Sequence, residues 1–414
     1  MLFDDAKSRS RRLPLAVIAL LAIMAVIWCV LFVAFPNSSQ KCLFWCNAEA
    51  NQFCDYFMPR AVSNMPRPYV EDWCSEWLAD RTVRRHDQCY PALANYWVGL
   101  FTEDIGGATA CTFVGVVVFI LGMVVFFWRT IPDKVLIATS IVCCSSPFLF
   151  AVGVGNLILY TVGFSFVFLA WYDSPSRWRK CVASISLALA SVLKISPVLL
   201  GLMYFDGRWK ENLKCIILAG MSALLLFVAP FFLCGGVDSI LAWMANASMN
   251  SSEYASLNYI GLFGFVNELF SCLTMRSLPD NVMLGLRVVS SGFGLFVLVI
   301  GCRCAVSFWS KGCAVVIGML FVPPTMMGYT VLYVIPFLIA GMFESDHGIR
   351  DASATYCLPL CMLLQFPLLL GPVGSLNVCF SAAASVCFAV VLLLKLIRNG
   401  DNLVNKHAGT RHVK

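Results

Sequence analysis

Apolar runs long enough to cross a bilayer recur along most of this chain, and no other feature restricts its fold so severely. Candidate spans fall at 13–35, 107–128, 135–152, 156–172, 181–193, 197–207, 212–234, 284–304, 312–325, 329–343, 353–371 and 375–397. A hydrocarbon core is about 30 Å thick and takes roughly 20 helical residues to cross. No water is present there to pair with backbone N–H and C=O groups, so only helices or a closed barrel can span it. The residue alternation that a barrel needs is absent, which leaves helices. Composition agrees: the 414 residues are 60% hydrophobic and 13% charged, with a mean hydropathy of +0.81. So few charges could not cover a soluble domain of that apolar content. The expected fold is therefore an all-α polytopic membrane protein with about 12 transmembrane helices (ten to thirteen) and a long first extracytoplasmic loop. Runs 181–193 and 197–207 are too short to span separately unless the bilayer is thinned or they meet as a broken pair.

The net charge of +6 comes from short basic loops between apolar runs and gives no reason to invoke nucleic acid. With the N-terminus in the cytoplasm, the cytoplasmic pieces hold 20 of the 29 Lys and Arg residues, the asymmetry expected of inward-facing loops. An even number of spans then returns the C-terminus to the cytoplasm. The first run, Leu13 to Phe35, follows Lys7, Arg9, Arg11 and Arg12. It is too long for the apolar core of a signal peptide and no small-residue cleavage site follows, so it reads as an uncleaved anchor.

Residues 1–414 form one integral membrane domain in this reading, with no soluble domain and no repeat of fixed period. Two segments are left outside. Residues 36–106 form a long first loop with a surface helix expected around Pro91–Phe101, and residues 235–283 form a second loop rich in Asn and Ser. The tail 399–414 is polar and basic and is expected to be a disordered cytoplasmic end. Three sequons, at Asn37, Asn246 and Asn250, all fall in the two outer loops, which matters chemically only in a host that glycosylates there.

Fifteen of the 20 cysteines lie in or beside apolar runs, where Cys acts as a small buried hydrophobe. Cys42, Cys46, Cys54, Cys74 and Cys89 share the first outer loop. In an oxidising compartment they allow two disulfides and one thiol, with the pairing open. A zinc site is the rival, but no CxxC or nearby His pair supports it.

Three features could carry chemistry. Asp55 sits in NQFCDYFMPR, flanked by Phe53, Tyr56 and Phe57 just past the first apolar run. It is either a solvated loop carboxylate or, partly desolvated by those rings, a carboxylate of raised pKa able to accept a proton. Lys194 interrupts SLALASVLKISPVLLGLMYF. A Lys at membrane depth costs about 2.5–3.5 kcal/mol, so it snorkels or faces a cavity or partner. The expected topology puts the Lys194-x-x-Pro197 turn on the outer side with Asp55, where an ammonium suits a lipid phosphate. Gly155-Asn156 is a tight turn on that same side, of a kind that is usually only a turn. Walker A, GxSxG and HExxH motifs are absent, as is a DxD of the nucleotide-sugar type and the paired broken helices of an inverted-repeat transporter.

In order and spacing these features resemble glycosyltransferase family 87, integral-membrane enzymes of GT-C type that take a sugar, mannose in the best-known cases, from a polyprenyl-phosphate donor. The resemblance rests on Asp55-Tyr56 after the first helix, Tyr90-Pro91-Ala92-Leu93 for the family's Tyr-Pro-Pro, and Gly153-Val154-Gly155-Asn156-Leu157 for its Gly-Gln-x-Asn. Lys194-Ile195-Ser196-Pro197 with the basic Arg208-Trp209-Lys210 stands for its Lys-Pro-x-Pro and basic loop. Ser256-Leu257-Asn258-Tyr259-Ile260-Gly261 is similar to its Asn-Gln-Ser segment, and Pro323-Pro324, Tyr329 and Pro336 to its late Pro- and His-containing element. These motifs cover most of residues 13–345. The Gln of the Gly-Gln turn and the late His have no counterparts, and Tyr329 is the one plausible polar stand-in for the His.

The resemblance implies transfer of a hexose, mannose above all, from a polyprenyl-phosphate donor to an extracytoplasmic hydroxyl with inversion. Asp55 would be the general base. Lys194 would meet the donor phosphate, helped by Arg60 and Arg85, and Tyr56, Tyr90, Asn156, Asn258 and Tyr329 would line the pocket. The donor carries its own activated leaving group, so neither a nucleotide-binding domain nor a cofactor is needed, and no metal-ligand set is evident. The acceptor could be a glycolipid, a glycan or another extracytoplasmic molecule. The family points to a bacterial cell membrane with the site facing outward, while an endoplasmic-reticulum enzyme would share the orientation. The competing functions are a transporter or flippase of a lipid-linked or small solute, and a non-catalytic membrane scaffold.

Overall fold

A computed structural model describes residues 53–205 except 64, 66, 71–72, 75–81 and 84–88, residues 209–253, residues 262–343 except 275, 277, 306 and 324–327, residues 382–397, and Ala19, Ile23 and Cys361. In chain order the elements are α1 (Cys54–Val62), β1 (Trp73–Cys74), β2 (Thr82–Val83), α2 (Ala92–Gly99), α3 (Ile105–Thr130), α4 (Val135–Cys143), α5 (Ser146–Gly153), α6 (Ile158–Trp171) and α7 (Arg177–Leu193). They continue with α8 (Trp209–Leu233), α9 (Val237–Glu253), α10 (Leu262–Thr274), α11 (Asp280–Cys304), α12 (Phe308–Phe321), α13 (Ile335–Phe343) and α14 (Ala382–Ile397). The fold is helical, relieved among the described residues only by the antiparallel pairing of β1 with β2.

Three helices among the described residues are long and apolar enough to cross a membrane: Ile105–Thr130, Lys210–Leu233 and Asn281–Cys304. The 26 residues of α3 rise about 39 Å, enough for the hydrocarbon core. Its outer face carries Phe113, Leu121 and Trp128, each more than half exposed, and α8 likewise shows Met221, Leu224 and Leu225. Such a wide exposed apolar belt belongs to a membrane-embedded helical protein.

The twelve expected spans do not all take the form of long helices. Run 197–207 is a 3-10 helix, Ser196–Tyr204; at about 2 Å per residue its nine residues rise roughly 18 Å, too short to cross. Pro197, within its first two positions, lacks the N–H needed to continue α7. Run 135–152 is divided between α4 and α5 at Ser145-Ser146-Pro147, where the Ser145 hydroxyl donates back to Val142 O at 2.6 Å. Run 329–343 begins as the 3-10 turn Gly328–Tyr333 before α13. Runs 13–35 and 353–371 lie outside the described residues save for Ala19, Ile23 and Cys361. Within the expected outer segment 235–283, α9 and α10 occupy most of the length.

The chain divides into two compact units. The first comprises Leu31–Arg129 and Ser146–Leu257 and contains α1–α3 and α5–α9. At the head of α3, Asp104 Oδ1 accepts from the Gly107 N–H at 2.7 Å and from the Thr102 hydroxyl at 2.6 Å. These bonds satisfy an orphan helix N–H and hold the Asp104 carboxyl below its usual range. Glycines let α3 and α6 approach closely: a Cβ on Gly122 would run into the Gly163 carbonyl, and one on Gly163 into Val118 O. At the other end of this pair, Arg129 meets both Asp173 oxygens at 2.8 and 2.9 Å and the Leu169 carbonyl at 2.8 Å. Helix α2, expected at the surface, instead buries Ala92, Ala94, Asn95 and Val98.

The second unit comprises Met1–Val30, Thr130–Ser145 and Asn258–Lys414. Helix α12 is its most enclosed element, buried from Gly312 through Phe321 and begun by a reciprocal Ser307–Ser310 cap. Trp309 Nε1 donates to the Phe337 carbonyl at 2.8 Å, fastening α12 to α13. On α11, the Arg287 guanidinium stacks 5.4 Å from the Phe263 ring centroid.

Candidate functional site

The site is built where the start of α1 meets the end of α5. The first N–H groups of a helix lack intrahelical acceptors, and the last carbonyls of a helix lack donors. Here the two sets answer each other: the Phe53 N–H donates to Gly153 O and the Asp55 N–H to Val154 O, both at 3.0 Å. The join needs two left-handed residues, Phe53 at φ 54° and Gly155 at φ 66°. Glycine fits the second position for another reason as well, because a Cβ there would press at 3.1 Å on both Phe53 and Tyr56.

The turn then delivers Asn156, whose side chain is buried. Its Oδ1 accepts from the Ile158 N–H at 2.7 Å, and its Nδ2 donates to Asp55 Oδ2. The other Asp55 oxygen, Oδ1, has a weak donor nearby, the Cys54 thiol at 3.8 Å. Burial pushes the Asp55 carboxyl above its ordinary value of 3.8, while the Asn156 amide, the Lys194 charge and the Cys54 thiol pull the other way. The residue keeps some exposed surface even though protein atoms crowd the carboxylate.

Lys194 is the residue just past α7. Its N–H still bonds Ala190 O, but its backbone is extended at φ −148°, ψ 131°, which turns the chain into the 3-10 helix begun by Pro197. Its ammonium lies 5.9 Å from the Tyr90 ring centroid and close enough to Asp55 to feel its charge. Tyr90 is held by residues far away in sequence. Tyr69 donates its hydroxyl to Tyr90 O at 2.9 Å, and Trp243 Nε1 donates to Cys89 O at 2.9 Å. Tyr69 is itself fixed by the Asn95 and Asn246 amides, each at 3.0 Å.

Of the residues expected to form the site, Asp55, Asn156, Lys194 and Tyr90 come together. Tyr56 adjoins them but is fully buried, with its hydroxyl committed to Thr102 O at 2.5 Å. Arg60 is buried too, and donates to Phe101 O at 2.7 Å and Ser63 Oγ at 3.0 Å. Five residues along a helix is a turn of about 140°, so its guanidinium ties α1 to the segment before α3 on a face away from Asp55. Tyr329 belongs to the second unit, buried in the 3-10 turn. Arg85 and Asn258 lie outside the described residues.

Sequence reasoning passed over several supports. Cys54 was a candidate disulfide partner, and here its thiol faces Asp55. Asn246 looked like a glycosylation acceptor, but its amide is buried against Tyr69 O. Tyr69 and Trp243 carried no motif at all. In the second unit, Arg287 inside an apolar run was also passed over, and its Nε is buried without an acceptor among the described residues. Among those residues no three His, Cys, Asp or Glu side chains gather at metal-binding spacing.

Chemically, the cluster joins a buried carboxylate with raised proton affinity to a neighbouring cation and an aromatic face, at the ends of apolar helices. Comparison of the chain with protein-family models, with curated proteins and with solved structures gave no match.

Proposed function

We propose that this chain is a membrane glycosyltransferase that moves a hexose, mannose above all, from a polyprenyl-phosphate donor to an extracytoplasmic acceptor hydroxyl with inversion. The observation that carries the reading is the Asp55–Asn156–Lys194 cluster: a desolvated carboxylate, one oxygen of which lacks a strong donor among the described residues, beside an ammonium. The sequence resemblance to glycosyltransferase family 87 supplies the donor class. In the proposed reaction the acceptor hydroxyl gives its proton to Asp55 as its oxygen bonds to the anomeric carbon. The bond from that carbon to the phosphate oxygen breaks on the opposite face, and the electron pair leaves on polyprenyl phosphate. Lys194 stabilises the negative charge that gathers on the phosphate, a fixed cation placed where charge develops. Tyr90 lies under that cation and offers a ring face for the sugar. The reading places the protein in a bacterial cell membrane with the site facing outward and both termini in the cytoplasm. In this reading the acceptor is a glycolipid, a glycan or another extracytoplasmic molecule.

The test is transfer of radiolabelled mannose from mannosyl-phosphoryl-polyprenol to a membrane-extract acceptor by the purified protein in proteoliposomes. Label in acceptor supports the reading. Label crossing the bilayer on an unaltered lipid would instead make the protein a flippase. Chelation of divalent ions is expected to leave the rate unchanged, and loss of transfer restored by an added divalent ion would refute a metal-free mechanism.

A further inference from the structure

The hydrogen bonds around Asn156 divide its two side-chain atoms between two tasks. Oδ1 is occupied by the Ile158 N–H at 2.7 Å, at the start of α6. That bond fixes which way the amide is turned, since an acceptor must face the N–H, so the NH2 end has to point the other way. It points at Asp55 Oδ2. The side chain is buried, and the backbone on either side is fixed as well, with the Asn156 N–H on Ala151 O at 2.9 Å and the Asp55 N–H on Val154 O at 3.0 Å. Both ends of the amide are thereby engaged.

We propose that Asn156 is a positioning residue: it claims Asp55 Oδ2, holds the carboxylate in place, and leaves Oδ1 as the atom that accepts the acceptor's proton. This assignment rests on the glycosyltransferase reading for its catalytic meaning, though not for its chemistry. Among the described residues, the groups facing Asp55 are few. Asn156 comes from the turn before α6, Lys194 from the end of α7, and Cys54 from α1 itself. Tyr56, from α1, directs its hydroxyl to Thr102 O instead. Cys89 interacts electrostatically with Lys194. The only donor on Oδ1 among the described residues is the Cys54 thiol at 3.8 Å, a weak one that an incoming hydroxyl displaces at little cost. Removing the Asn156 donor withdraws a bond to a charged group, whereas removing Cys54 withdraws almost nothing.

Asn156→Asp tests the assignment because it keeps an acceptor for the Ile158 N–H and exchanges only the donor for a second carboxylate. The carboxylic C=O band of Asp55 is followed by infrared difference titration of the full chain in detergent, with Asp55→Asn as the subtraction control. A lost hydrogen bond to a charged group corresponds to an upward shift of about 1 to 2 pH units in Asn156→Leu. In Asn156→Asp one step of the coupled pair should lie higher still. The acid limb of mannosyl transfer should move by the same amount, with KM for the lipid donor unchanged. A titration midpoint equal to that of the parent chain in either folded variant overturns the assignment. If the band shifts but the parent chain transfers no mannose from mannosyl-phosphoryl-polyprenol, the positioning role stands and the glycosyltransferase reading fails. Should both variants fail to fold, Cys54→Ala and the parent chain decide the matter through Oδ1: an upward shift above one unit in Cys54→Ala contradicts an Oδ1 left essentially without a donor.

Discussion

Two aspartates of the first unit meet cations from distant parts of the chain, and they are treated in opposite ways. Asp173 gives both oxygens to one guanidinium, at 2.8 and 2.9 Å from Arg129, and the two side chains are only a quarter to a third exposed. That arrangement uses up the carboxylate, because a bidentate pair engages both of its oxygens. Its product is mechanical, since Arg129 also holds carbonyls at the end of α6 and so fastens that helix to α3. Asp55 gives one oxygen to a neutral amide, and among the described residues the other meets only the weak Cys54 thiol. Its cation is close enough to be felt but does not claim it. A fold can therefore hold a carboxylate firmly by its backbone and one oxygen while leaving the other available.

The largest effect expected from this contrast is on turnover. Asp55→Asn should lower kcat for sugar transfer by about 10²- to 10⁴-fold, the span of a lost general base, without lowering the yield of folded protein. Asp173→Asn should do the reverse. It should leave the rate per folded molecule within a few-fold and cost about 1 to 3 kcal/mol of stability, read as a lower thermal midpoint. Comparable losses of rate in both variants would erase the distinction.

Next in size is Lys194→Met, which keeps the aliphatic stem and removes the charge. Transfer should fall about 10²-fold or more through weaker stabilisation of the departing phosphate, and Lys194→Arg should recover part of it. A purely structural Lys194 would instead show an unchanged rate and a shifted melting curve.

The pH dependence sharpens the same comparison. Because burial raises the Asp55 carboxyl above 3.8, the acid limb of kcat/KM should lie above the ordinary aspartate range, with activity lost as pH falls through it. The sign for stability is opposite. Folding favours the protonated Asp55, so the stability this group contributes is present in acid and is lost as pH rises from 3.8 through the raised value. An acid limb at the ordinary aspartate position would mean that Asp55 is not the base.

The smallest effect concerns the helix contact between these two regions. Gly122→Ala places a methyl against the Gly163 carbonyl and should cost about 1 to 3 kcal/mol by overpacking, seen in thermal unfolding. It should change the transfer rate per folded molecule little, since it touches neither Asp55 nor Lys194.

How much of this was legible in the sequence depended on the range of the signal. Helices α3, α8 and α11 were plain because long uninterrupted apolar runs have few other solutions in lipid. Run 197–207, already too short to span alone, did not show its 3-10 form, because a short apolar stretch looks alike in an α-helix and in a 3-10 helix and the deciding Pro197 acts through backbone geometry. Helices α9 and α10 were hidden by Asn and Ser, which usually mark turns; Asn246 is instead buried by a bond to Tyr69, 177 positions away. Counting the expected spans put Asp55, Asn156 and Lys194 on one side of the membrane, and the structure brings the three together. The bond from Asn156 to Asp55 crosses 101 positions, and no local pattern announces it. Arg60 shows the converse: its charge suggested a ligand, but its phase on α1 turns it toward Phe101 O.

The most direct test of the central claim is a side-by-side transfer assay of the parent chain, Asp55→Asn and Asp173→Asn, reconstituted at equal folded amounts with radiolabelled mannosyl-phosphoryl-polyprenol and membrane-extract acceptor. The account predicts label in acceptor from the parent and from Asp173→Asn, and about 10²-fold less or lower from Asp55→Asn. Full transfer by Asp55→Asn, or no transfer by the parent chain, would contradict it.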